Sequence, residues 1–324
     1  MSELLRVEDL RVYFYTYAGV VKAVDGVSFT VRKGEVFSIV GETGCGKSVT
    51  ARAITKLIKP PGRIIGGRVL FEGRDLLKLS EKEIRRIRGK DIAYIYQDPS
   101  SSLDPLYTSG YQIAETITVH NPSTKLKNAL KKAIEILRDV AIPDPVKRAR
   151  NYPHELSGGM KQRVVIGISV SNKPKLIIAD EPTTSLDVTV QAQVLDLLQE
   201  LRKKYGTTIM LITHNLGVVA EVSDRVMVMY AGKVVEIADV YTLFTNPLHP
   251  YTRGLLSAVP NPLEKIDEIK PIPGFVPDMI NIPRGCRFRP RCSYATQRCL
   301  REPPLIEVKP GHLVSCWMYT GGDE

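Results

Sequence analysis

The stretch Gly41-Glu42-Thr43-Gly44-Cys45-Gly46-Lys47-Ser48 constrains this chain more than any other. It fits G-x-x-x-x-G-K-[ST] at every fixed position. The apolar run Val36 to Val40 precedes it and reads as a buried strand, and KSVTARAITKLI follows it and reads as a helix. Glycines let a backbone wrap an anion with its N–H groups turned inward, and a helix N-terminus adds partial positive charge. Lys47 is then placed to reach terminal phosphates and the Ser48 hydroxyl to ligate Mg²⁺. Gly41, Thr43, Gly44, Cys45, Gly46 and Val49 complete the loop around them. A plain Gly-rich turn would need neither the Lys-Ser pair nor a strand and a helix on its two sides. The stretch is a nucleotide-binding loop.

Other polar residues fall where a nucleotide site needs them. In an open α/β sheet, ligand contacts lie at the C-terminal ends of the strands. IAYIYQ reads as a strand that delivers Gln97, and KLIIAD as a buried strand that ends in Asp180-Glu181. Beside a phosphate loop, Asp180 suits Mg²⁺ and Glu181 suits the polarising of an attacking water. TTIMLIT is a further buried strand, and His214 follows it as a candidate phosphate contact. Leu156 to Arg163, LSGGMKQR, opens an apolar helix, so Ser157, Gly158 and Gly159 make a second anion-friendly helix start.

Around these lies a coarse order of elements. Residues 4–14 and 20–31 alternate as half-buried strands do. The aromatic cluster between them supplies Phe14 as the candidate to stack on an adenine ring. KPPGRIIGG reads as a break, with Arg68–Glu72 and Asp91–Tyr96 as short strands around the helical SEKEIRRIR. Residues 110–150 are amphipathic and helical and interrupt the strand–helix alternation, as an inserted helical subdomain of about 98–160 would. Val190–Tyr205 is an amphipathic helix stopped by Gly206, and Asp224–Tyr230 with Lys233–Ile237 form a hairpin around Ala231-Gly232.

Among the 324 residues no apolar run is long enough to cross a bilayer, and the start MSELLRVEDL lacks a signal-peptide core. A cytosolic protein is expected. The net charge of +10 sits in clusters without interleaved aromatics, so it points to a membrane surface in preference to nucleic acid. From about residue 240 prolines replace periodic elements, and the texture becomes that of a separate, irregular extension. Cys45 lies in the phosphate loop, but Cys286, Cys292, Cys299 and Cys316 are confined to this tail, with 5, 6 and 16 residues between them. Such clustering argues for a metal site over disulfides, and the spacing alone leaves the metal open.

Taken together the motifs resemble the ATP-binding subunits of ABC transporters. Gly41–Ser48 matches the Walker A loop, and Leu176–Asp180 with Glu181 matches Walker B. Gln97 falls at the Q-loop, Leu156–Gln162 at the LSGGxxQ signature, Ser185-Leu186-Asp187 at the D-loop and His214 at the switch histidine. LSGGMKQR, QDPSSSLDP, NPLHPYTRGLL and IPG before a Cys-rich tail are similar to the oligopeptide/dipeptide/nickel importer subfamily, in particular its DppD/OppD-type subunits. Asp104 departs from the Asn usual at that place, and both residues turn and cap well.

The resemblance implies an α/β P-loop core over residues 1–239, with a RecA-like sheet, an antiparallel β subdomain and the helical insertion, and a four-Cys extension over 240–324. It implies ATP sandwiched head to tail between two subunits, with Lys47 and Ser48 serving one nucleotide and Ser157 and Gly159 the other, and Asp187 nearby. Mg²⁺ would be held by Ser48, Gln97 and, through water, Asp180. Glu181 would activate water and His214 would contact the γ-phosphate. The four tail cysteines would hold a 4Fe–4S cluster, with zinc as the alternative. Implied partners are a second, distinct ABC ATPase in a heterodimer, two transmembrane permease subunits and an external substrate-binding protein, on the cytoplasmic face of the membrane. The implied activity is ATP hydrolysis that drives peptide uptake. Oligosaccharide or nickel import is the near alternative, and a soluble ABC ATPase of translation or DNA repair the distant one.

Overall fold

The structure is a computed structural model and describes residues 2–184, 186–258 and 272–320. In chain order the first elements are β1 (Glu3–Thr16), β2 (Gly19–Arg32), β3 (Val36–Val40), α1 (Lys47–Ile54), β4 (Gly62–Phe71) and β5 (Arg74–Asp75). Next come α2 (Glu81–Ile87), β6 (Ile92–Ile95), α3 (Pro99–Ser102), α4 (Ser109–His120), α5 (Leu126–Asp139) and α6 (Pro145–Arg148). They are followed by α7 (Gly158–Val170), β7 (Leu176–Asp180), α8 (Val188–Tyr205), β8 (Thr208–Ile212), α9 (Leu216–Val222), β9 (Arg225–Tyr230) and β10 (Lys233–Asp239). The last are α10 (Val240–Thr245), α11 (Pro250–Ser257), β11 (Ile306–Lys309) and β12 (His312–Val314). The chain divides into two compact units, one of Arg32–Gly34 with Lys78–Leu211, the other of Ser2–Val31, Glu35–Leu77 and Ile212–Glu324.

In the first unit β6 and β7 pair in parallel, Ile92 opposite Leu176 and Ile95 opposite Ala179, and β8 lies on the far side of β7. All five residues of β7 are buried, which is why KLIIAD shows no alternation. Helix α5 turns Ala129, Ala133, Ile136 and Leu137 inward, and α8 does the same with Val194, Leu197, Leu198 and Leu201. The helical residues expected over 110–150 are thus α4, α5 and α6.

In the second unit two sheets are present. One has the order β2-β1-β4-β5; the strands of the other run β11-β12-β10-β9-β3. β1 and β4 pair antiparallel, with Leu5 opposite Phe71 and Val12 opposite Ile64, and their register shifts between Glu8 and Arg11. Opposite that bulge Gly67 has φ +96, and a Cβ there would meet the Asp9 carbonyl oxygen and the Leu10 Cα at 2.6 Å. β4 starts at Gly62, inside the stretch that reads as a Pro–Gly break, and Gly67 of that stretch serves the bulge. β3 runs parallel to β9, Val40 opposite Val228, and β9 turns back into β10 through Ala231 and Gly232, both at positive φ.

The expectation of an irregular tail needs correction. After β10, Asp239 caps α10 by accepting the Thr242 N–H at 2.9 Å, and His249 caps α11 by accepting the Tyr251 N–H at Nδ1, 3.0 Å away. β12 adds to the edge of β10, Ile237 opposite Leu313. One carboxylate gathers these pieces. Glu236, fully buried, accepts from the Leu248 N–H (2.7 Å), the His249 N–H (2.9 Å) and His312 Nε2 (2.7 Å). Pro250 stands at the first turn of α11, where proline starts a helix instead of breaking one. The strands β11 and β12 are too short to show a period. Density of proline thus hid regular structure.

Candidate nucleotide site

The phosphate loop joins β3 to α1 in the second unit. Gly46 is the residue before the helix, with φ +104 and no room for a Cβ, which would lie 2.3 Å from the Ala23 carbonyl oxygen. The Lys47 side chain is buried, and its ammonium donates to the carbonyls of Gly41 (2.7 Å) and Glu42 (3.1 Å), so the lysine is folded over the loop it belongs to. Cys45 is buried beneath it, 3.8 Å from Lys47 Nζ, and burial holds its thiol above the usual range. The Gly232 N–H donates to the Cys45 carbonyl at 2.9 Å, which ties the loop to the β9–β10 turn. Ser48 lies in the first turn of α1 with Val49 after it. Thr213, just after β8, donates its N–H to the Ile39 carbonyl of β3 at 3.2 Å, and the exposed His214 comes next in the chain.

Phe14 is half-buried near the end of β1, where it pairs with Gly62; a Cβ on Gly62 would come within 2.6 Å of the Phe14 ring. The neighbouring Tyr13 donates to Asp25 at 2.7 Å.

The first unit brings together Asp180, Glu181 and Gln97. Asp180 is buried at the end of β7 and accepts the Tyr94 hydroxyl at 2.7 Å. Glu181 has φ +49, a conformation a residue with a Cβ rarely takes, and this turns its carboxylate out of the strand direction. Gln97 Nε2 donates to Glu181 Oε2 at 3.2 Å, and the Thr184 hydroxyl donates to the same oxygen at 2.9 Å. The expected water-activating carboxylate is thus oriented by two donors. Tyr94 and Thr184 escaped the sequence reading. Tyr94 lies 86 residues from its partner, and Thr184 differs in no way from other turn threonines.

Ser157 caps α7, accepting the Met160 N–H at 3.3 Å, and Asp187 caps α8, accepting the Val190 N–H at 2.9 Å. The two helix starts are neighbours, since a Cβ on Gly159 would approach Val190 at 2.9 Å and one on Gly158 would approach Leu186 at 3.9 Å. Ser185 of the expected D-loop lies outside the described residues. Asp104, in place of Asn, accepts the Leu106 N–H at 2.9 Å as a turn residue does.

Cys286, Cys292, Cys299 and Cys316 are all free and partly buried. They line one cavity of about 170 Å³ together with His249 and Trp317. Burial pushes the Cys286 thiol up to about 11 and raises those of Cys292 and Cys316. Among the described residues no group of three or more His, Cys, Asp or Glu side chains is gathered so that it could hold a metal ion. The four sulfurs share this cavity, and as they stand they form no such group.

The comparisons with known proteins agree with this geometry. Residues 24–184 match the family model described as ABC transporter, and residues 235–299 match the oligopeptide/dipeptide transporter C-terminal region. The oligopeptide transport ATP-binding protein OppD of Bacillus subtilis is 51% identical over 98% of this chain and 89% of its own length. The dipeptide transport ATP-binding protein DppD of Escherichia coli is 48% identical over 94% of this chain and 93% of its own. Among solved structures, the ATP-binding cassette MJ0796 in a dimeric post-hydrolysis state, bound to ADP and Pi, is 25% identical with a TM-score of 0.66 over 73% of this chain and 99% of that one. A phosphate loop at the end of β3, a paired Asp180-Glu181 with its glutamine, and a likeness that runs through the C-terminal region lead to one conclusion: this chain belongs to the ATP-binding subunits of the oligopeptide/dipeptide group of ABC transporters.

Proposed function

We propose that the chain is the ATP-hydrolysing subunit of an importer for di- or oligopeptides. The observation that carries this reading is the extent of the likeness: it includes both the cassette and the oligopeptide/dipeptide C-terminal region, at 51% identity to a protein named for oligopeptide transport. Lys47 and the loop N–H groups bind the terminal phosphates, and Ser48, Gln97 and Asp180 offer the hard oxygen donors that Mg²⁺ takes. Glu181 orients the attacking water and draws its proton. The two hydrogen bonds on Glu181 Oε2 set the plane of its carboxylate, and transfer needs such positioning more than covalent help from the protein. His214 contacts the γ-phosphate. Ser157 and Gly159, with Asp187, serve the nucleotide held by the partner's phosphate loop.

The nucleotide-binding domain is read as residues 1–239 and the extension as 240–324. The partners are a second, distinct ATP-binding subunit, two permeases and an external binding protein, with this chain on the cytoplasmic face of the membrane. Among the described residues no helix is long and apolar enough to cross a membrane, which agrees with separate permease subunits. Drawn together across the cavity they line, Cys286, Cys292, Cys299 and Cys316 would hold a 4Fe–4S cluster. What supports this is a donor set of four sulfurs around a single cavity, the ligand class such clusters take. The cluster would cross-link the segment.

The test is recovery of the tagged chain from detergent-solubilised native membranes with identification of what accompanies it. A second ATP-binding subunit with two permeases is the expected result. Recovery from the soluble fraction with ribosomes or DNA would overturn it.

A further inference from the structure

Segment 286–292 carries two of the tail cysteines, and the residue after Cys286 and the residue before Cys292 are arginines. Both reach the phosphate loop or its support. Arg291 is buried and grips Glu42, the second residue of the loop, with a two-pronged fork: Nη1 to Oε2 at 2.8 Å and Nη2 to Oε1 at 3.1 Å. Its Nε is fixed by the Pro273 carbonyl at 2.9 Å. The Glu42 N–H donates to the Tyr251 hydroxyl of α11 at 2.9 Å. Arg287 donates to the Ala231 carbonyl and to Asp25, and the adjacent Gly232 N–H holds the Cys45 carbonyl. The loop is therefore held at Glu42 and at Cys45 by residues that lie 185 or more positions later.

A carboxylate inside a loop built to bind an anion opposes its function unless a cation neutralises it. We propose that Arg291 is a positioning residue for nucleotide binding: it neutralises and pins Glu42, so the cysteine segment of the tail sets the affinity of the phosphate loop. Arg291 acts through Glu42, with Tyr251 as the second hold on the same residue. This rests on the reading of the loop as the ATP site, which a Lys47→Ala chain tests separately.

The experiment is calorimetric titration of the full chain with a non-hydrolysable ATP analogue and Mg²⁺. Arg291→Ala is expected to weaken binding about tenfold, the size of one lost charge-assisted pair. Adding Glu42→Gln to Arg291→Ala removes the stranded charge and restores affinity to within about threefold of the wild type. Arg291→Lys is intermediate, since a point charge lacks the fork. Should Arg291→Ala fail to fold, Arg291→Gln compared with Arg291→Gln/Glu42→Gln makes the same comparison, since glutamine also removes the cation. A purely structural brace would show no rescue by Glu42→Gln, and that result overturns the proposal. So does wild-type affinity in Arg291→Ala while Lys47→Ala has lost binding. Undiminished binding by Lys47→Ala would instead overturn the ATP reading of the loop.

Discussion

Gly46 and Glu181 both occupy backbone conformations at positive φ, for different reasons. At Gly46 the constraint is space, because a Cβ would sit 2.3 Å from the Ala23 carbonyl oxygen. Gly46→Ala is expected to cost about 1–3 kcal/mol in denaturant unfolding and to weaken ATP binding along with it. At Glu181 a residue with a Cβ accepts φ +49, and the return is a carboxylate aimed at the donors Gln97 and Thr184. Glu181→Gln keeps the shape and removes the base. Phosphate release should fall about 100-fold or more while ATP binding is retained. Wild-type turnover in that variant would take Glu181 out of the catalytic step. The motif spacing made both residues legible. Of the two donors that orient Glu181, Gln97 was legible as well, but Thr184 was not, since nothing in its spacing marks it.

Among the elements, α11 shows how a short helix can be both well built and hidden. Its cap is His249, whose ring is buried and accepts the Tyr251 N–H at Nδ1. Burial holds this imidazole down, with a pKa of about 3. The unfolded chain takes up a proton near 6.5 that the folded chain refuses until about 3. The contribution is thus fully present above about pH 6.5 and is lost as pH falls through that window, at a slope of about 1.4 kcal/mol per pH unit. Unfolding free energies measured between pH 7 and 4.5 should show this slope in the wild type and lack it in His249→Asn. An unchanged slope would mean that other groups set the acid limb. No sequence pattern announced this cap. Histidine is an uncommon cap, and Pro250 after it reads at first as a break.

At the scale of the whole molecule, Glu236 ties β10 to the tail segments that follow it. A residue of β10 accepts from the start of α11 and from β12, 76 positions away. Glu236→Ala leaves three buried donors without their acceptor. At about 1–3 kcal/mol for each such group, a loss of at least about 3 kcal/mol is expected in denaturant unfolding. A change under about 1 kcal/mol would show that the tail holds to β10 by its apolar contacts alone.

By itself the sequence determined the local and periodic parts: the phosphate loop, the buried strand before Asp180-Glu181, the amphipathic helices and the capped start at Ser157. Each is encoded within a few consecutive residues, through spacing that a strand or a helix converts directly into a face or an end. Only the tertiary structure decided what holds those parts in place. Arg291 meets Glu42 across 249 positions, Glu236 meets His312 across 76, and four cysteines with irregular spacing share one cavity. Such pairings depend on which distant segments the folding of the core brings side by side, and no local spacing records them.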